Sequence, residues 1–267
     1  MIKGVEKVKK FAKLIYRLFG ERTHPLIYAF FVNVYSIFRK NIFVIPIDNY
    51  WMAKSGDRIF YAPHPRIAFH CVQLLPWEEY EQYFKVEKGD VVVDAGAFIG
   101  DFTVYAAEKV GPTGVVVAIE PDPSNYFFLS LNTARLRNVK LINKCIWKEK
   151  KILDFYLSSS IATHSIFSST NRKIKRDADK LVNILSSLKI KDVDFIKMDI
   201  EGAEIEALEG AREILRRTRK VAVAAYHLRG GIPTFPVVKK YLERLGFKVR
   251  VTGDGIVHAW KSVPKKK

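Results

Sequence analysis

The amino-acid sequence predicts an α/β fold with a mostly parallel sheet, preceded by an N-terminal extension of helix and short strands. Three observations carry this. From residue 91 onward, short apolar runs alternate with stretches of helical periodicity, the pattern of strand–helix–strand units. The first run, "VVVDAG", closes on a carboxylate and a glycine and leads straight into a helix. The chain closes with two strand-like pieces around "GDG", a hairpin signal that places an antiparallel strand at the sheet edge.

The extension covers residues 1–88 and the main domain 89–267. "GVEKVKKFAKLIYRLFG" (4–20) sets apolar residues at helical spacing among lysines, a basic amphipathic helix. "PLIYAFFVNVYSIF" (25–38) is strongly apolar, but its 14 residues fall short of the roughly 20 that span a bilayer. It is expected to pack on the core. Residues 42–75 read as short strands broken by prolines, and "PWEEYEQYF" (76–84) as a short helix.

In the main domain, strands are predicted at 91–96, 114–120, "VKLINKCIW" (139–147), 152–158, "VDFIKMDI" (193–200) and 220–227, before the hairpin of 247–252 and 255–261. Helices are predicted at 101–110, 124–138, 178–188, "AEIEALEGAREILRRT" (203–218) and 235–246.

The formal charge is +17, which predicts attraction to polyanions: nucleic acid, an anionic membrane surface or acidic glycans. The excess is uneven. Residues 1–40 hold nine Lys or Arg against Glu6 and Glu21; "NRKIKRDADK" (171–180) and Lys265 to Lys267 are further basic clusters. Cys71 and Cys145 have no partners at metal-ligand spacing and make no disulfide framework, so a reducing compartment is expected and no metal is assigned. No small-residue cleavage site follows the basic N-terminus, so no signal peptide is expected. The chain is placed in the cytoplasm, with a minority reading at the inner face of the membrane.

In an open parallel sheet, ligands bind at the C-terminal ends of the strands. The turn after the first strand, Gly96-Ala97-Phe98-Ile99-Gly100, lies there. Phe98 stands where a dinucleotide fingerprint has its middle glycine. Asp94 adds a negative charge that repels pyrophosphate and suits an ammonium group. This turn, with Glu120 at the end of the second strand to take ribose hydroxyls, points to S-adenosyl-L-methionine. In "IKMDIEGAEIEALEGA" (196–211), Asp199 and Glu201 read as functional carboxylates facing water, metal or a cationic ligand. Glu204 and Glu206 read equally well as acids favoured by a helix first turn.

"VVVDAGAFIGDFTVYAA", "VVAIEPDPSNYFFLSLN" and "VDFIKMDIEGAEIEALEGA" together resemble the FkbM family of S-adenosylmethionine-dependent methyltransferases, over roughly residues 78–228. The resemblance implies a Rossmann-like class I methyltransferase with a seven-stranded sheet, and methylation of a hydroxyl oxygen, commonly on a sugar. By position it implies Asp94, Gly96 and Gly100 at the methionine end, Glu120 at the ribose, and Asp199 facing sulfonium and acceptor. Ala97, Phe98, Thr103 and Pro121 complete the expected cofactor contacts, Thr103 either bonding the cofactor or capping local backbone. The family's usual asparagine in the turn is Phe98 here, and "AAYHLRG" stands at a strand end that is often acidic.

Candidate bases for the acceptor hydroxyl are Asp199 and His227, the histidine titrating in the useful range or merely hydrogen-bonding nearby. The polar stretch 158–170, with His164 and Ser165, reads as an acceptor-side loop or a plain surface loop. Two other readings stay open: an RNA methyltransferase using the basic clusters, and a non-enzymatic binder of anionic membrane surfaces.

Overall fold

The computed structural model describes residues 25–39, 42–73, 77, 79–157, 172–253 and 255–262. The expected helix 4–20, the loop 158–170 with His164 and Ser165, and the lysine tail lie outside the described residues. The chain divides into two compact units, Met1–Leu75 and Pro76–Lys267.

In the first unit, helix α1 (Pro25–Arg39) precedes an antiparallel sheet of β1 (Ile42–Ile47), β2 (Tyr50–Ser55) and β3 (Arg58–Ala62), closed by helix α2 (Pro65–Val72). The apolar run 25–38 does pack on a core: Tyr28, Ala29 and Val32 are buried, as are Ile42, Val44, Phe60 and Phe69. Asn33 holds the first strand by both ends of its amide, donating to the Val44 carbonyl at 2.9 Å and accepting its N–H at 2.7 Å. No described helix is long and apolar enough to cross a membrane.

The second unit carries the predicted α/β fold. Its elements are β4 (Val91–Ala95), α3 (Asp101–Val110), β5 (Val115–Ile119), α4 (Pro123–Thr133), β6 (Val139–Ile142), β7 (Cys145–Ile146), β8 (Lys151–Tyr156) and β9 (Lys173–Asp179). There follow α5 (Leu181–Ser187), β10 (Phe195–Met198), α6 (Glu204–Gly210), α7 (Arg212–Leu215), β11 (Lys220–Ala224), β12 (Leu228–Arg229), β13 (Ile232–Pro233), α8 (Phe235–Arg244), β14 (Lys248–Val251) and β15 (Ile256–Trp260). The seven-stranded sheet runs β14-β15-β11-β10-β4-β5-β6. Strands β6, β5, β4, β10 and β11 pair in parallel.

Alternate residues of the central strands feed two cores, as period-two geometry requires. Val93, Val117, Ile196 and Val221 point to one face, with Leu181, Leu208 and Leu242 from α5, α6 and α8. Val92, Val116, Phe195 and Ala222 point to the other, against Phe102 of α3 and Tyr80. At the N-terminal ends of the strands, Arg219 bridges Asp90 and Asp194 at 3.1 and 2.9 Å, and Lys220 meets Asp90 at 3.2 Å. These pairs pin the starts of β4, β10 and β11 to one another.

Four expectations need correction. The run 139–147 is two strands: β6 joins the main sheet, while β7 pairs with β9 in a small β7-β9-β8 sheet. The described part of 76–84 forms turns instead of a helix, because its residues anchor sideways, Tyr80 in the core and Glu81 on the Val86 N–H at 2.8 Å. The antiparallel strand is β15, which inserts between β11 and β14 and leaves β14 at the edge. The stretch 203–218 breaks into α6 and α7. At the break, a Cβ on Gly210 would stand 2.1 Å from the Trp147 carbonyl oxygen.

That last contact predicts that Gly210→Ala forces β7 and α6 apart. Overpacking of this kind costs about 1–3 kcal/mol, so thermal or urea unfolding monitored by circular dichroism should show a lower midpoint than the parent chain.

Candidate functional site

Strands β5 and β6 follow β4 on one side and β11 follows β10 on the other, so the sheet changes direction between β4 and β10. The crevice beyond their C-terminal ends is where such sheets bind ligands. A cleft opens there, with Trp77, Tyr80, Phe98, Asp101, Glu120 and Asp199 on its wall.

Asp94 is fully buried beneath this cleft. One of its oxygens accepts the Thr103 hydroxyl at 2.6 Å, and the other faces the Lys197 ammonium at 3.1 Å. Lys197 also donates to the Gly96 carbonyl at 2.8 Å. Burial opposes the charge on Lys197, but Asp94, Asp199 and Asp101 outweigh it and hold the ammonium above its ordinary range. The charge of Asp94 is therefore met within the protein, and Thr103, itself fully buried, is committed to Asp94.

Gly96 is required by protein backbone. It takes φ of +75°, and a Cβ there would stand 1.8 Å from the Asp199 carbonyl oxygen. The glycine lets β4 and β10 end in direct contact. Gly100 precedes α3, and a Cβ there would meet Leu129 of α4 at 2.8 Å. Ala97 is buried, its N–H on the Ile119 carbonyl at 3.1 Å. Phe98 takes a positive φ of +51° without being glycine, a conformation that costs free energy and clusters at functional sites.

Glu120 follows β5 and reaches back under the turn. Its carboxylate accepts the Phe98 N–H at 2.8 Å and the Asp122 N–H at 2.9 Å. Burial pushes it up to about 7, against the pull of those two donors. Pro121 lies beside it on the wall. Asp101, the first residue of α3, is pushed by burial up to about 6.

Across the cleft stand the residues after β10 and β11. Asp199 accepts the Tyr80 hydroxyl at 2.9 Å. His227 Nε2 lies 3.5 Å from Asp199 Oδ1 and 3.4 Å from Glu201 Oε2. On the other side of the ring, Nδ1 lies 2.9 Å from Glu204 Oε1. Glu204 is fully buried, accepts the Gly202 N–H at 2.9 Å and takes the Thr234 hydroxyl at 3.3 Å. It is thus more than a helix-first-turn acid: it orients His227. Glu206, two residues on, pairs with Arg229 at 2.9 Å. Burial disfavours a charged His227, yet Glu201, Glu204 and Asp199 outweigh it and raise the ring to about 10. Asp199, Glu201 and His227 offer donor atoms within 4.8 Å of one another, a spacing that could hold a metal ion.

The site thus brings together the expected Asp199, His227, Phe98, Glu120 and Pro121. It adds Tyr80, Asp101, Lys197 and Glu204. Lys197 carried a sequence signal, since "DFIKMDI" sets one ammonium inside a buried apolar strand. Tyr80 carried none.

The order and direction of the seven strands, with a cleft at their reversal, are those of the class I methyltransferase fold. Residues 94–249, more than half of the chain, match the methyltransferase FkbM domain. The chain belongs to the FkbM methyltransferase family. It is 27% identical over 188 residues to Methyltransferase 1 of Beauveria bassiana, covering 60% of this chain and 73% of that one. It is 37% identical over 43 residues to ribosomal RNA large subunit methyltransferase E of Desulfotalea psychrophila, covering 16% of this chain and 21% of the other. The solved FkbM methyltransferase of Methylobacillus flagellatus superposes with a TM-score of 0.48 at 19% identity, over 73% of this chain and 54% of that one. The chain thus spans about a fifth of the ribosomal RNA enzyme and about half of the Methylobacillus protein.

S-adenosyl-L-methionine is the cofactor of this class, and the residues fit it. A carboxylate after β5 suits a ribose diol, and Asp101, Asp199 and Glu201 give the wall a negative character that suits a sulfonium and an ammonium. The same acids would repel a pyrophosphate.

A diol donates best to an ionised carboxylate. Because Glu120 lies near 7, cofactor affinity should rise with pH between 6 and 8, by up to about tenfold. Calorimetric titration across that range checks this; Glu120→Gln should flatten the profile and weaken binding throughout.

Proposed function

We propose that the chain methylates a hydroxyl oxygen on a sugar, glycan or glycolipid-like acceptor. One observation carries the reading: Asp199 and His227 stand 3.5 Å apart at the ends of adjacent strands, with Glu204 on the far side of the ring. A hydroxyl must be aligned and must lose its proton, and this arrangement serves both needs.

S-adenosyl-L-methionine supplies an activated methyl group on a sulfonium. The chain's own residues do the rest. Glu120 holds the ribose end. Lys197 and Thr103 keep Asp94 and the glycine turn in place. Asp199, steadied by Tyr80, accepts a hydrogen bond from the acceptor hydroxyl and favours its deprotonation. Trp77, partly buried on the cleft wall, offers an apolar ring for the C–H face of a sugar.

A neutral polyhydroxyl acceptor suits this acidic site better than a phosphate backbone. An RNA acceptor draws support from the net charge of +17 and from the short stretch shared with a ribosomal RNA methyltransferase. In the basic cluster of β9, however, Lys173 and Lys175 both pair with Asp154, at 2.9 and 2.6 Å.

Asp199→Asn keeps the shape and removes the charge. Turnover on a hydroxylated acceptor should fall by about 10²-fold or more, while cofactor affinity falls less. Acceptors are found by incubating labelled cofactor with cell extract and fractionating the product into glycan, lipid and RNA. Label confined to a nitrogen or carbon of RNA would overturn the hydroxyl reading.

A further inference from the structure

We infer that Asp199, Glu201 and His227 form a binding site for a divalent metal cation that holds the acceptor hydroxyl. This deepens the O-methylation reading and rests on it for the cation's role, while the site itself stands on geometry.

The two separations at His227 are those of a coordination sphere, and all three donor atoms lie within 4.8 Å of one another. Around a cation with bonds of about 2.1 Å, neighbouring ligand atoms lie about 3.0 Å apart at right angles and about 3.4 Å apart at the tetrahedral angle. Nε2 of His227 lies 3.4 Å from Glu201 Oε2 and 3.5 Å from Asp199 Oδ1. Both separations exceed the 2.7–3.2 Å of ordinary N–H···O hydrogen bonds.

The support behind these atoms is equally specific. Metal-bound histidines commonly donate their other ring nitrogen to a carboxylate, which fixes the tautomer and frees the ligating lone pair. Glu204, fully buried, is the acceptor for Nδ1 at 2.9 Å. Asp199 is oriented in the same manner, since Tyr80 occupies Oδ2. Its Oδ1, the atom facing His227, is buried and has no hydrogen-bond partner among the described residues. A buried carboxylate oxygen left in that state costs free energy, and a cation removes the cost. Glu201 reaches the cluster from a backbone with φ of +54°, a conformation a non-glycine residue holds only when its surroundings impose it. Two carboxylates and one imidazole suit first-row divalent ions such as manganese or zinc.

Three protein ligands leave open positions on the cleft side. A hydroxyl bound there is acidified as metal-bound water is. Its proton passes to solvent, its oxygen forms the new bond to the methyl carbon, and the broken carbon–sulfur bond leaves its electron pair on sulfur. His227 and Asp199 are then ligands, and the proton removal given to Asp199 above is done through the cation.

Manganese(II) titrated into the full chain, followed by the loss of its free paramagnetic resonance signal, tests the site. One ion should bind per chain. Glu201→Gln and His227→Ala should each weaken binding at least tenfold. Glu204→Gln, which touches no cation, should weaken it about 10–100-fold. Glu201 lies in a part-exposed turn, so its conservative variant keeps the test valid if His227→Ala fails to fold. No saturable binding by the parent chain, or unchanged affinity in Glu201→Gln, would overturn the site. Methyl transfer to a hydroxyl that persists at full rate with excess chelator would overturn the cation's role and leave the O-methylation reading intact. Manganese binding together with transfer to nitrogen would do the reverse.

Discussion

Lys197 and Asp94 face each other at 3.1 Å on neighbouring strands with almost no access to solvent, and the ligand end of the domain depends on that pair. Two charges in a low-dielectric interior are tolerable only when each meets the other and their remaining valences are filled. Here Thr103 fills one oxygen of Asp94, and the Gly96 carbonyl takes another hydrogen of Lys197. Four groups from β4, its turn, α3 and β10 become one unit. Removing either charge would strand the other, a loss of about 3–5 kcal/mol in comparable buried pairs. The pair also sets the local field. An ammonium beneath the cleft lets three acids, Asp101, Asp199 and Glu201, share the wall above it.

Close backbone approach is the second constraint. Gly96 allows the Asp199 carbonyl to sit where a side chain would stand, which brings the two strand ends that carry the site into contact. Two non-glycine residues near this contact, Phe98 and Glu201, hold positive φ. Each is placed to aim a functional group. Phe98 turns its N–H onto Glu120, and Glu201 turns its carboxylate toward His227. Strain at such positions persists because the packed turn determines the backbone more strongly than the residue's own preference.

The cleft is accordingly graded. On the β5 side, one carboxylate is raised by burial and satisfied by backbone donors. On the β10 and β11 side, several carboxylates converge on one imidazole, and their negative charge exceeds what a single ring can balance. The first environment suits recognition, and the second suits cationic ligands and proton removal. Part of the chain's positive charge is internal: Lys197 and Lys220 are buried.

The sequence by itself determined the strand–helix alternation, the glycine turn, and the positions of Glu120 and Asp199 at strand ends. These are local properties. Period-two and period-3.6 patterns, and residues needing positive φ, are written within a few neighbouring positions. The extent of some elements was not local. The run 139–147 reads as one strand because every piece of it is apolar, yet β6 and β7 are claimed by different sheets. The helical pattern through Gly210 is continuous, yet the helix breaks at Ala211, next to the glycine that Trp147 approaches. The partners in the site were further still from local control. Lys197 reaches Gly96 across 101 residues, and Tyr80 reaches Asp199 across 119. The sequence leaves Glu204 open between a first-turn acid and a site residue; its contact with His227 depends on the packing of α6 against the end of β11. Such pairings follow from strand order and register, which only the packed sheet decides, because burial of a charged group is paid for by whichever partner the fold brings within hydrogen-bond reach.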